Sequence, residues 1–245
     1  MERIDILGVG FDNVNMSEAL SRAEALLEGG HHYIVTPNSE IVYDAQSNDT
    51  LREILNRADI VLPDGIGVVK ASRVLDTPLK EKVAGVEVAE NLLPVFAKKG
   101  ASLYLLGAKP GVAERAAEKM KTIAPGLKIA GLHDGYFKDD AEVVDAVKAS
   151  GADAIYVCLG APKQELFIAA HLEEMGCKLA IGLGGSLDVF AGEAKRAPKI
   201  FINLGLEWLW RLIKQPSRLG RMMRLPKFLR LAKKEAKRRK KEAAK

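Results

Sequence analysis

Between residues 102 and 183 the chain repeats one rhythm, and that rhythm constrains the fold more than any other feature. Short apolar runs at 102–106, 128–132, 154–159 and 179–183 read as strands, and the segments 110–124, 139–150 and 162–174 between them read as helices. Strand and helix in alternation build a parallel sheet with helices on both faces. The pattern extends upstream. A first strand is predicted at 3–7, with Gly8, Gly10 and Asp12-Asn13 suggesting a turn and a hairpin. Ser17 is the expected N-cap of a helix running to Leu27. A strand at 33–36 follows, then helices at 39–46 and 50–57, a strand at 58–62, and helices at 66–75 and 86–99. The fold class is therefore α/β: a Rossmann-like, mostly parallel sheet flanked by helices.

The strand ends carry the chemistry. In residues 58–69, ADIVLPDGIGVV, Pro63 cannot donate to a ladder and stops the strand, and Asp64-Gly65 turns the chain into a helix. Asp64 thus stands at the carboxyl end of a strand, the edge where open α/β sheets bind ligands. A carboxylate there can act as a base, a metal ligand or a helix cap, and Asp-Gly is also ordinary turn chemistry. Three further strand exits are rich in glycine: Gly107 in LGAKPG, Gly160 with Lys163 in LGAPKQE, and Gly184-Gly185 in GLGGS. Glycine admits a close ligand, and the helix N-termini that follow offer N–H groups to phosphate. Three such exits on one edge point to a nucleotide or diphosphate pocket. Neither G-x-G-x-x-G nor a Walker A sequence occurs, which disfavours NAD enzymes and P-loop ATPases. No D-x-D triplet occurs, and the four histidines show no metal-ligand spacing. No metal and no cofactor is expected; dipoles and Lys/Arg would balance a bound diphosphate.

Charge divides the chain. Residues 195–245 hold 18 Lys/Arg against three Asp/Glu, whereas residues 1–194 hold 19 against 29. An α/β domain over 1–194 is therefore expected to carry a basic, helical appendage over 195–245. Within it Trp208 and Trp210, and the stripe Leu219, Met222, Met223, Leu225, Phe228 and Leu229, suit a membrane interface. A polybasic segment suits anionic lipid. The alternatives for the 200–213 stripe are packing on the body or a homo-oligomer interface. Nucleic acid would explain the basic tail but neither the glycine exits nor the apolar stripe. No apolar run reaches transmembrane length, and the N-terminus lacks a signal-peptide pattern. Cys158 and Cys177 read as buried, reduced thiols of a cytosolic protein.

An ordered set of motifs then becomes recognisable: TPNSE at 36–40, LPDGIGVV at 62–69, VAG at 83–85, LYLLGAKPGVAE at 103–114, GYF at 135–137, LGAPKQE at 159–165 and GLGGSLDVFAG at 182–192. RAP at 196–198, GLEWLWRL at 205–212 and QPSRLGR at 215–221 continue it. The set resembles the WecG/TagA/CpsF glycosyltransferase family, and its C-terminal block resembles the TagA branch. The resemblance implies inverting, metal-independent transfer of N-acetylmannosamine from UDP-ManNAc to undecaprenyl-diphosphate-GlcNAc. The product is a β-1,4-linked unit for wall teichoic acid, made by a peripheral protein on the cytoplasmic membrane face. Carried over residue by residue, it makes Asp64 the base, Thr36 and Asn38 polar pocket residues, and Gln164 a catalytic, sugar-holding residue. Arg211, Arg218 and Arg221 become diphosphate contacts on a C-terminal segment folded over the pocket. The chain departs from the family pattern at Lys82, where Arg is usual, and at Glu87, where Asp is frequent. Asp134 stands where a second His is common, and Ser39 where Pro or Ala is common. A UDP-ManNAcA or UDP-glucose donor is the alternative within the family.

Overall fold

Helix and strand boundaries follow local chemistry. In the computed structural model, which describes residues 3–194, 197–198, 201, 206–214, 220 and 223–243, a hairpin of β1 (Arg3–Ile6) and β2 (Val9–Asp12) comes first. The helix after it, α1 (Met16–Ala25), is capped by Asn15, not by Ser17 as the sequence suggested. The Asn15 side chain accepts the Glu18 N–H while the Glu18 carboxylate accepts the Asn15 N–H, a reciprocal pair that Ser17 cannot match from inside the first turn.

The sheet contains β3 (His32–Val35), β4 (Ile60–Val61), β5 (Ser102–Gly107), β6 (Lys128–His133), β7 (Ala154–Cys158) and β8 (Leu179–Gly182). Their order is β4-β3-β8-β7-β5-β6, and every neighbouring pair is parallel. β7 is buried at every position, as a strand covered on both faces must be. Along β5, Leu103 and Leu105 enter one core while Tyr104 and Leu106 enter the other, so the two-residue period serves two helical layers. β4 is shorter than its apolar run. Asp59 exchanges bonds with Tyr33 through both its carboxylate and its N–H, and its carboxylate also holds the His32 ring at 2.8 Å. His32 therefore opens β3, one residue before the predicted start of the strand.

The other helices are α2 (Ser39–Asp44), α3 (Asp49–Arg57), α4 (Ile66–Val74), α5 (Gly85–Lys99), α6 (Val112–Ile123), α7 (Asp140–Ser150), α8 (Lys163–Met175), α9 (Ser186–Phe190), α10 (Glu207–Lys214) and α11 (Arg224–Ala243). The chain leaves β5 toward β6 and leaves β7 in the opposite direction toward β8. The carboxyl ends of β5 and β7 thus flank a topological switch point, where an open α/β sheet forms its ligand crevice.

The C-terminal helix docks on the body. Phe228 and Ala232 of α11 are fully buried in the cluster that holds Val42 of α2 and Val68 and Ala71 of α4, and Leu229 and Ala236 pack beside them. Leu225 lies over Gly67, where a Cβ would stand 2.7 Å from its Cδ1. Ion pairs Arg224–Asp44 and Arg239–Asp5 fasten the two ends. Leu225, Phe228 and Leu229, expected to face lipid, therefore cover the protein itself. Met223 stays exposed, and Leu219 and Met222 lie outside the described residues. Among the described residues no helix is long and apolar enough to cross a membrane.

Candidate active site

The carboxyl rim of the sheet gathers most of the residues singled out from sequence. At the β3 exit Thr36 is buried, and its hydroxyl donates to the Gly182 carbonyl of β8 at 2.8 Å. It caps no turn; that task falls to Asn38, whose side-chain oxygen accepts the Glu40 and Ile41 N–H groups at the start of α2. Gly85, at the start of α5, rests against Thr36: a Cβ there would stand 3.0 Å from the threonine side chain. On the adjacent β4 exit Asp64 is half-buried, and Gly65 occupies the cap position of α4 with φ 98°, a conformation that demands glycine. The Val83 N–H donates to the Pro63 carbonyl and draws residues 82–85 against the Asp64 turn. Lys82 extends from that segment to Glu207 of α10, Nζ to Oε1 at 2.7 Å.

Gln164 is the second residue of α8, in its first turn, and is fully enclosed rather than solvent-facing. Its Oε1 accepts the Gly184 N–H and its Nε2 donates to Glu165 Oε1, both at 2.8 Å. Gln164 thus ties the β7 exit to the β8 exit. Glu165 is also buried; desolvation raises its carboxyl pKa, so the neutral form is favoured, and its Oε2 finds no partner among the described residues. Sequence reasoning missed Glu165, because an acid in a first helical turn looks like an ordinary response to the helix dipole.

The glycines of β5 and β7 shape the crevice. Gly107 adopts φ 128°, and a Cβ there would lie 2.3 Å from the Cys158 carbonyl oxygen, so only glycine fits. Gly160 also holds positive φ. The Gly135 N–H donates to the Ala108 carbonyl at 2.8 Å, which brings the GYF segment to the β5 exit. Lys163 is exposed, with its ammonium 3.9 Å from the centre of the Phe137 ring. Tyr136 beside it is 70% exposed, a large ring at the rim of the crevice that packs against no core. GYF was visible in the sequence as a motif, but nothing there distinguished the exposed Tyr136 from the packed Phe137.

Five helices that begin around this rim, α4, α5, α6, α8 and α9, carry no side-chain cap. Those of their first-turn N–H groups that stay free are an anion-binding resource, although Glu87, Val112, Gln164 and Ser186 already donate to the Ala84, Lys109, Gly160 and Leu183 carbonyls. Away from it α1 and α3 are capped by Asn15 and Asn48, whereas α7, which leaves the carboxyl end of β6, is capped by Asp139. Asp64 on β4 and the crevice between β7 and β5 are three to four strands apart, roughly 14–19 Å at the usual strand spacing. The rim therefore suits an elongated ligand lying across several strand ends. Arg211 falls within α10, its side chain outside the description; Arg218 and Arg221 lie outside the described residues. Among the described residues no group of His, Cys, Asp or Glu could hold a metal ion. Burial pushes the thiols of Cys158 and Cys177 up to about 12, which removes both as nucleophiles at neutral pH.

Comparison with known proteins agrees with this geometry. The profile of the glycosyl transferase WecG/TagA/CpsF family matches residues 4–242. A Bacillus spizizenii protein named N-acetylglucosaminyldiphosphoundecaprenol N-acetyl-beta-D-mannosaminyltransferase is 42% identical over 197 residues, covering 80% of this chain and 77% of its own. Proteins of the same name from Bacillus subtilis and Staphylococcus aureus (strain MRSA252) are 40% and 37% identical, covering 84% and 93% of this chain and 81% and 91% of their own. With its parallel sheet, its glycine-lined rim and a match that spans nearly its whole length, this chain belongs to the WecG/TagA/CpsF family of glycosyl transferases.

Proposed function

We propose that this enzyme transfers N-acetylmannosamine from UDP-ManNAc to GlcNAc-diphosphoundecaprenol with inversion, an early step of wall teichoic acid linkage-unit synthesis, with Asp64 as general base. The observation that carries the reading is the shared name of relatives 37–42% identical over most of this chain. The geometry supplies a means. Inverting transfer needs a base on the acceptor hydroxyl, on the face opposite the departing nucleotide. A carboxylate at the β4 exit can take that proton as the new C–O bond forms, while the C–O bond to the β-phosphate breaks and its electron pair leaves with UDP. First-turn N–H groups of α6 and α8 that carry no side-chain cap can meet the growing negative charge, and Arg211, Arg218 and Arg221 add cations. The exposed ring of Tyr136 offers a stacking face for the nucleobase.

The acceptor is a lipid, so we place the protein peripherally on the cytoplasmic membrane face. Support comes from the outer side of α11, where Lys227, Arg230, Lys233, Lys234, Lys237, Arg238, Lys240 and Lys241 are all exposed. Because its apolar side is occupied by the body, this helix would meet anionic lipid through charge, with about 1 kcal/mol per basic residue near the surface. The reading is tested by incubating the protein with a panel of UDP-sugars and a short polyprenyl-diphosphate-GlcNAc, with and without EDTA, and identifying the product by mass spectrometry. A HexNAc addition from UDP-ManNAc that survives EDTA is expected. Transfer from UDP-ManNAcA or UDP-glucose alone would move the donor assignment within the family, and dependence on a divalent ion would overturn the metal-free mechanism.

A further inference from the structure

Lys82 stands where the family pattern usually has arginine, and phosphate gripping is the obvious task for a cation beside a diphosphate pocket. The structure puts the charge to another use. Lys82 Nζ lies 2.7 Å from Glu207 Oε1, and the two side chains are 19% and 28% exposed. An ammonium this near a half-buried carboxylate is already neutralised. Glu207 opens α10, where its charge also suits the helix N-terminus. The other end of the bridge is the segment that touches both proposed reacting positions: Val83 bonds to Pro63, one residue before Asp64, and Gly85 presses on Thr36. The residues are 125 positions apart, so the pair joins the C-terminal segment to the catalytic rim.

We infer that Lys82 is a positioning residue: its bridge to Glu207 seats α10 on the rim beside Asp64, and that seating places the Arg211 position of the helix at the pocket. A point charge suffices for this task, because one N–H donor meets one carboxylate oxygen; the forked geometry of a guanidinium is not needed. Lys82 then acts through α10 and not by holding the nucleotide.

The chain offers its own probe. It has two tryptophans, Trp208 and Trp210, and both lie on α10, half-buried, with Trp210 5.3 Å from Phe201. Intrinsic emission therefore reports whether this helix is seated, independently of any substrate. Lys82→Glu and Glu207→Lys should each shift the docking equilibrium at least about tenfold toward release, because each leaves a charged, half-buried partner unpaired. Both should red-shift the emission and lower transfer to the short-chain acceptor. The charge-swapped double variant should recover emission and turnover together, and Lys82→Arg should retain both. Single variants with unshifted emission would overturn the inference. So would a double variant that regains emission but not turnover, since Lys82 would then have a task of its own at the substrate. The turnover arm rests on the proposed transfer reaction; if no UDP-sugar is used even by the wild-type chain, that reading fails while the emission arm still decides the docking pair.

Discussion

Gln164 poses the sharpest question about the site, because the family resemblance makes it a sugar ligand whereas the structure uses both ends of its amide internally. Gln164→Ala removes the acceptor of the Gly184 N–H and the donor to Glu165 Oε1. It leaves Gly184 without that partner and strips Glu165, whose Oε2 has no partner among the described residues, of the bond on its other oxygen. A buried group orphaned in this way costs about 1–3 kcal/mol. Glu165 bears that cost in full and the half-buried Gly184 N–H only part of it, so the loss is roughly 2–4 kcal/mol, without counting the vacated volume. For a domain of this size each kcal/mol lowers the midpoint by about 2–4 °C, so Tm should fall by roughly 5–15 °C. Scanning calorimetry on the full chain reads that number, and initial-rate kinetics on the same preparation read the consequence. Because Gly184 lies on the rim where we propose that the diphosphate binds, KM for the donor should rise together with the loss of turnover. A Gln164→Ala protein that melts within a degree of wild type while losing its activity would refute the reasoning: the amide would then be free to serve substrate, and the tie between the β7 and β8 exits would be energetically idle.

Other perturbations test other parts of the rim. Asp64→Asn should fold normally and lose ~10²–10⁴ in turnover, the usual worth of a positioned base, and a variant within a few-fold of wild type by initial rates would remove that role. Glu165 links the site to pH. Burial lifts its folded pKa above the ordinary 4.5, so above that value the unfolded chain releases a proton that the folded chain keeps. Stability should therefore fall as pH rises, by up to about 1.4 kcal/mol per unit, until the folded carboxyl titrates. Glu165→Gln, which still offers an oxygen to Gln164, should lack that decline; urea midpoints that change in parallel for both proteins between pH 5 and 8 would show that the carboxyl is ionised in the fold. Retention on anionic liposomes should be lost as salt rises toward about 1 M, because α11 presents charge and not an apolar face; salt-resistant binding would point to insertion of another segment.

The α/β alternation was legible because buried parallel strands leave unbroken apolar runs, and because Gly or Asn-type punctuation closes them. What escaped was set by partners distant in sequence. The apolar stripe through Leu225, Phe228 and Leu229 showed that one face of α11 is covered, but periodicity cannot say by what; α2 and α4 cover it instead of lipid. Glu165 and the Lys82–Glu207 bridge look like ordinary surface charge until the fold buries one in the first turn of α8 and joins the other across 125 residues. β4 was overestimated because Asp59, read as part of a strand, spends its carboxylate on His32 and Tyr33.

One signal for the site was present in the sequence and becomes readable only with the topology. A helix that starts without Ser, Thr, Asp or Asn at its cap leaves its first N–H groups to something else. Here that condition selects α4, α5, α6, α8 and α9, which start with Gly65, Ala84, Gly111, Pro162 and Gly185 at their caps, and all of them lie around the ligand edge. α2 and α7 are the exceptions: they too leave that edge, but Asn38 and Asp139 accept N–H groups of their first turns. The β3 and β6 exits are therefore poor places on the rim for a phosphate, and Thr36, with its hydroxyl on Gly182, reinforces the sheet at the β3 exit. We therefore propose that the diphosphate lies on the β5, β7 and β8 side, where the Asp64 carboxylate on β4 does not repel the group that must leave.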